Sequence, residues 1–197
     1  MLEDIALMRA MPGMVVMAPC DAVEAEKMTL AMAKDGRPNY MRVARENTPV
    51  FTTEDTPFEI GKSYVFAEGK DVTILATGTM TYHALLAAEK LFGDGIDAEV
   101  VPVPTIKPLD SETILKSIRK TGCAVTIEEA QIIGGLGGAI AELTAENHPV
   151  PLKRLGMQDR YGESGDGEEL LKHFGLDAQH IRLAAHHVVE KAKKQIS

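Results

Sequence analysis

The sequence predicts an α/β protein. Its main part reads as a three-layer α/β/α domain around a five-stranded, mostly parallel sheet with one antiparallel edge strand, preceded by a partial α/β domain. Three observations carry this. From Lys62 onward, short apolar runs alternate with segments of helical period, the pattern of parallel strands joined by right-handed crossovers with helices on both faces. Runs such as Val72-Thr73-Ile74-Leu75-Ala76 are near-continuously apolar, as strands covered on both faces are. The first 60 residues repeat the same grammar with only two strands and two helices, too few to cover both faces of a sheet.

Taken in order, residues 3–11 have helical period and end at Pro12-Gly13. Met14 to Ala18 is a buried strand. Asp21 and Glu24 stand at capping-box spacing and open a helix to Lys34 with Met28 and Met32 inward, stopped by Asp35-Gly36. Tyr40 to Ala44 is the next strand, and Arg45 closes it. Residues 46–60 carry Pro49, Pro57, threonines and acids with little periodicity, a linker running over a surface. Lys62 to Phe66 is a short strand, joined to Val72–Ala76 by a turn so tight that the two must form an antiparallel hairpin. Thr79 to Phe92 is helical and stopped by Gly93. Ala98 to Val103 is a strand, Asp110 caps a helix bearing Ile114, Leu115 and Ile118, and Ala124 to Ile127 is a strand. Residues 134–145 form a glycine-rich turn feeding a helix, Leu152 to Leu155 is the last strand, and helices over 168–173 and 178–194 close the chain. The domains expected are therefore 1–45, a linker over 46–60, and 61–197. The first of these reads as the closing part of a domain whose beginning is absent.

Composition narrows the function classes. The chain has 197 residues, is 45% hydrophobic and 25% charged, and carries a net charge of −8. No basic stripe is present to neutralise phosphates, so nucleic acid is not an expected partner. The apolar runs are strand-sized, so no membrane span is expected. Cys20 and Cys123 lie far apart and outside any CxxC arrangement, which suits small core residues in a reduced, cytoplasmic setting. His186-His187 is the one close histidine pair, and no carboxylate or Cys spacing completes a metal site around it.

Five sequence features carry possible chemistry. Gly93-Asp94-Gly95 follows a helix rather than a strand, with no Asn at the spacing a shared cation needs, so it reads as a helix-to-strand turn. Residues 132–139, with Gly134, Gly135, Gly137 and Gly138, sit between a strand and a helix. Their backbone amides suit an anion, close helix–strand packing or a subunit contact, and the full GxGxxG spacing is missing. Glu128-Glu129 ends a strand at the carboxyl edge, where sites in open α/β sheets lie; paired acids there suit either acid–base work or a structural role. Tyr161-Gly162-Glu163-Ser164-Gly165 lacks a nucleophile elbow and reads as a conformationally special loop. Arg45, again at a carboxyl edge, can grip a phosphate with its two-pronged guanidinium or serve as a surface ion-pair partner.

Several of these segments together resemble one family. Met8 to Asp21 is similar to the R-x-x-P-N-M-x-V-x-x-P-x-D stretch late in the pyrimidine-binding domain of transketolases. Val43-Ala44-Arg45-Glu46-Asn47 resembles the S-R-Q-N element that ends that domain. Ile74 to Thr79 resembles the I-A-T-G-S opening of the C-terminal domain, and Tyr161 to Ser164 resembles its Phe/Tyr-Gly-Glu-Ser loop. The resemblance, which covers essentially the whole chain, is closest to the separate C-terminal subunit of a split transketolase. It implies thiamine diphosphate-dependent transfer of a two-carbon ketol unit between sugar phosphates. The N-terminal transketolase portion would be the partner, and a homodimer the assembly. Arg45 is the one residue the resemblance assigns, to the sugar phosphate. The family's activating glutamate, ring-flanking aromatics and catalytic histidines precede the stretch that matches Met1, and thiamine diphosphate and magnesium are held by another domain. The resemblance thus gives this chain no catalytic residue, no bound cofactor and no activity alone. A related family, the 1-deoxyxylulose-5-phosphate synthases, shares the Pro-x-Met-Val-Val-Met-Ala-Pro stretch and the Lys107-Pro108-Leu109-Asp110 turn. It usually shows Tyr-Pro-Arg where this chain has Val43-Ala44-Arg45.

Overall fold

Burial on both faces decides the larger sheet. The structure, a computed structural model, describes residues 1–196. Strands β3 (Val72–Ala76), β4 (Ala98–Pro102), β6 (Ala124–Gln131) and β7 (Leu152–Met157) lie in the order β4-β3-β6-β7, all parallel. Because strand side chains alternate, Val72, Ile74 and Ala76 point to one face, where they meet Val100, Val125 and Ile127 from neighbouring strands. Helices α3 (Met80–Gly93) and α7 (Ala178–Ile196) cover that face with Met80, Ala84, Leu91, Ile181, Ala185 and Val188. On the other face Leu75, Val101 and Ala124 pack beneath α4 (Ser111–Thr121) and α5 (Leu136–Asn147) through Ile114, Ile118, Leu136 and Ile140. The three-layer α/β/α architecture is as the sequence predicts.

The edge strand is a correction. Residues 62–66 form no strand, and the sheet has four strands rather than five. The segment pairs not with β3 but with the outer edge of β4, through one antiparallel bridge between Ala67 and Val100. The reason is topological: β3 is central, with β4 on one side and β6 on the other, so a hairpin partner has no free edge to add to. The turn that follows passes so close to β4 that a Cβ on Gly69 would lie 2.2 Å from the Ala98 carbonyl carbon. Glycine is the residue that permits this approach.

The N-terminal residues build a second, smaller sheet. Helix α1 (Asp4–Ala10) leads to β1 (Val15–Met17), and α2 (Ala22–Asp35) leads to β2 (Asn39–Met41), which lies parallel to β1. The sequence reading overlooked the third strand. It is β5 (Thr105–Lys107), supplied from beyond β4, and it pairs antiparallel with β1. Two strands too few to stand alone are thus completed from the other half of the chain. Ile5, Val16, Ile106 and Ala130 form a shared core across this junction. The Lys107 ammonium donates to the carbonyls of Arg9 (2.9 Å) and Met11 (2.7 Å), satisfying orphan acceptors at the end of α1.

Residues 46–60 run over α2 and are tied to it. Asp21 caps α2 by accepting from the Glu24 N–H (3.0 Å), and its carboxylate also accepts from the N–H of Phe51 (2.9 Å), the N–H of Thr52 (2.7 Å) and the Thr52 hydroxyl (2.7 Å). One turn along, the Lys27 ammonium donates to the carbonyls of Thr53, Glu54 and Thr56 at 2.7, 2.9 and 2.5 Å. The short helix α6 (Gly167–Phe174), capped by Asp166, and the longer α7 end the chain. No helix among the described residues is long and apolar enough to cross a membrane.

Candidate functional site

A cavity of about 470 Å³ opens where the two sheets meet. It lies beyond the carboxyl ends of β2 and β3, the edge at which open α/β sheets place their sites. Its charged and polar walls come from distant parts of the chain: Asp4 on α1, Tyr40 and Arg42 at the end of β2, Arg45 beyond them, Thr79 before α3 and Glu129 on β6.

The interactions inside it form one chain. The Tyr40 hydroxyl donates to Asp4 Oδ2 at 2.6 Å, and Arg42 Nη1 donates to Asp4 Oδ1 at 3.3 Å. Arg42 Nη2 lies 3.9 Å from Glu129 Oε1, and the Thr79 hydroxyl donates to Glu129 Oε2 at 3.3 Å. Burial, then the hydrogen bond to Asp4, push the Tyr40 phenol up to about 12, so it remains a donor at neutral pH. Arg45 stands apart. It lies four residues past the end of β2 rather than closing the strand, and it is exposed. Among the described residues it has no hydrogen bond or ion pair, although it lines the same cavity. An unpaired guanidinium beside a cavity can take a tetrahedral oxyanion without first giving up a partner.

The structure separates the two acids of Glu128-Glu129. Glu129 is half-exposed at the cavity, whereas Glu128 is fully buried. The Glu128 carboxylate accepts from the Leu136 N–H at 2.7 Å and the Gly137 N–H at 2.8 Å, at the start of α5. The glycine-rich turn therefore does cradle an acidic group, and that group is the chain's own. Burial pushes Glu128 up to about 7, opposed by those two N–H donors. The two residues thus have different neighbours and do not act as a pair.

The remaining sequence candidates are occupied structurally. Asp94 ends α3 and accepts from Arg182 Nε (2.5 Å) and Nη2 (2.6 Å), with His186 Nε2 at 2.8 Å, so it ties α3 to α7. Cys20 and Cys123 are free and buried; burial raises both thiols, Cys123 to about 11, which keeps them protonated and unreactive. Tyr161 is exposed in the loop after β7. Among the described residues no three His, Cys, Asp or Glu side chains converge to hold a metal ion. The side chains present do not compose a pyrophosphate–magnesium site, so no chemical step is assigned through one.

Sequence reasoning missed Asp4, Tyr40, Arg42, Thr79 and Glu129 as a group. Arg42 lay inside the predicted strand, and no local pattern brings it to Asp4 or Glu129. Only the completion of the small sheet by β5 and the seating of α1 on β6 do so.

Two family descriptions match the chain. The pyrimidine-binding domain of transketolase covers residues 1–50, and the transketolase C-terminal domain covers residues 61–181. The chain belongs to the transketolase family. Its relatives include the 6-deoxy-6-sulfo-D-fructose transketolase subunit of a Clostridium species, 48% identical over 96% of this chain and 59% of that one. An apulose-4-phosphate transketolase subunit of Phocaeicola vulgatus is 38% identical over 96% of this chain and 61% of that one. A solved structure described as a split gene transketolase, inactive beta4 tetramer, superposes with a TM-score of 0.93 at 41% identity, covering 96% of this chain and 62% of that one. Members of the 1-deoxy-D-xylulose-5-phosphate synthase family also match, one from Geobacter metallireducens at 40% identity over 91% of this chain and 29% of its own. The chain spans about three-fifths of the length of the transketolase subunits it matches. Within this transketolase-family chain the cavity lies between the two matched domains: Arg42 and Arg45 fall in the first, Thr79 and Glu129 in the second.

Proposed function

We propose that this chain is the C-terminal section of a thiamine diphosphate-dependent transketolase, and that Arg45 grips the terminal oxyanion of the sugar substrates. The observation that carries the reading is the unpaired Arg45 guanidinium in the cavity between the two matched domains. Thiamine diphosphate, with magnesium, supplies the carbanion chemistry of two-carbon ketol transfer when bound to the complete enzyme. This chain's own part is to bind and orient. Remote binding of a charged sugar terminus holds the reacting carbons in register elsewhere. The names of the related subunits support an oxyanion at that terminus, a sulfonate in one and a phosphate in the other.

The partner in this reading is an N-terminal transketolase portion, and the chain alone is inactive; the description of the split-gene relative as inactive points the same way. Self-association into at least a homodimer accompanies it, with Leu7 and Met11 exposed on and just after α1 and Leu30 exposed on α2. Its two buried, free thiols suit a reduced cytoplasmic setting. A second reading, a 1-deoxyxylulose-5-phosphate synthase portion, has relatives in its favour, but Val43-Ala44 in place of Tyr-Pro before Arg45 favours transketolase. The test is a ketol-transfer assay with thiamine diphosphate and magnesium, run with and without the N-terminal portion. Activity only in the mixture is expected. Activity of this chain alone, or pyruvate rather than a ketose as donor, would overturn the reading.

A further inference from the structure

Arg42 is the most constrained cation of the cavity, and the reading above gives it no role. Its side chain is 17% exposed, and its backbone N–H donates to the Met17 carbonyl at 2.9 Å, so it is held to the small sheet just where β2 ends. The three residues after it, ending in Arg45, include the exposed Val43 and Arg45. The cavity brings together two guanidiniums, Arg42 and Arg45, and two carboxylates, Asp4 and Glu129. Opposite charges lining one partly enclosed space attract strongly, so carboxylates left unneutralised would recruit Arg45 as their counter-ion. An incoming oxyanion would then have to displace a carboxylate to reach it, and like charges nearby would repel it.

The observed pairing avoids this. Arg42 spans Asp4 and Glu129, at 3.3 and 3.9 Å, and the hydroxyls of Tyr40 and Thr79 take the other oxygen of each carboxylate. We propose that Arg42 is a positioning residue that neutralises Asp4 and Glu129 across the junction of the two domains, leaving Arg45 as the free guanidinium that a sugar's terminal oxyanion meets. Arg42 itself need not touch the ligand. The proposal rests on the assignment of Arg45 made above.

The experiment measures inorganic phosphate binding to this 197-residue chain, read from phosphorus NMR line broadening and from the Nε–H signals of the arginine side chains. Arg42→Gln is expected to weaken binding about tenfold, and Asp4→Asn added to Arg42→Gln to recover most of the loss. A purely structural role for Arg42 predicts no such recovery, since the double variant has lost more contacts than the single one. Asp4→Asn alone keeps Arg42 in place and tests the same point should Arg42→Gln not fold; it is expected to bind phosphate as well as the parent or better. Parent-like binding by Arg42→Gln, a double variant as weak as the single, or weakened binding by Asp4→Asn alone each overturns the role of Arg42. If the parent shows no broadening that Arg45→Ala removes, the Arg45 assignment itself falls and takes this inference with it.

Discussion

Gly135 and Glu128 cannot both be kept if residue 135 gains a side chain: a Cβ there would lie 1.9 Å from Glu128 Oε2. The glycine turn before α5 is shaped to let a buried carboxylate sit against the Leu136 and Gly137 amides. Gly135→Ala must therefore expel the carboxylate or bend the turn, leaving donors unpaired in the interior. A loss of about 3 kcal/mol is expected, from overpacking together with lost hydrogen bonds. Urea unfolding measures it. Gly138→Ala is the control: it lies inside α5, and the nearest atom to its added Cβ is the tip of Arg9 at 3.5 Å. It should be neutral or stabilise by up to about 1 kcal/mol through helix propensity.

Glu128 also predicts a pH dependence. Its folded value of about 7 lies above the ordinary 4.5, so the native state holds this proton longer than the unfolded chain does. Between those values the native state binds more protons, and stability falls as pH rises. The contribution is fully present below 4.5 and gone above about 7. Its size is on the order of 3 kcal/mol. His83 acts with opposite sign in part of this range, because burial lowers its imidazole and favours the neutral form as pH rises. Comparing the parent with Glu128→Gln across the same pH series removes the His83 part. The parent should lose stability relative to the variant as pH rises from about 5 to about 7, and parallel curves would refute the assignment.

The α/β alternation was legible because near-continuous apolar strands record burial on two faces, as Val72 to Ala76 does. The capping acids Asp21 and Asp110 were legible for a local reason, since each accepts from the N–H three residues on. What the sequence hid was non-local. The segment before Gly69 kept its antiparallel sense but changed partner, because strand order is set by the whole sheet. Strand β5 is three residues long and has no periodicity to read. Arg45 was legible as an arginine at a carboxyl edge, with a phosphate grip and a surface ion pair both open, and only the family resemblance chose between them. Its neighbours Asp4, Arg42 and Glu129 come together only after both sheets have formed.

The segment between the two matched domains is anchored rather than loose, and Asp21 is the anchor. Asp21→Ala would orphan the N–H groups of Glu24, Phe51 and Thr52 and the Thr52 hydroxyl, with Asp21 4% and Thr52 6% exposed. The expected loss is about 3 kcal/mol, larger than for a helix cap alone because the carboxylate serves two segments. Hydrogen exchange should show lost protection at Phe51 and Thr52 as well as at the start of α2. Loss confined to α2 would mean that the segment is held by Lys27 and its three carbonyls instead.

Arg45 gives the sharpest functional prediction. In the enzyme assembled with its N-terminal portion, Arg45→Ala should raise KM for a phosphorylated or sulfonated ketose about tenfold to a hundredfold, the range for a charge-assisted pair. KM for an unphosphorylated ketose should change little, because nothing at that terminus met the guanidinium. Arg45→Lys should fall between, since an ammonium keeps the charge but loses the planar two-pronged contact. Phosphate and sulfonate substrates should suffer alike in Arg45→Ala if the residue reads a tetrahedral oxyanion. Equal losses on charged and uncharged sugars would instead mean that Arg45 supports the fold of the junction, and the assignment would be withdrawn.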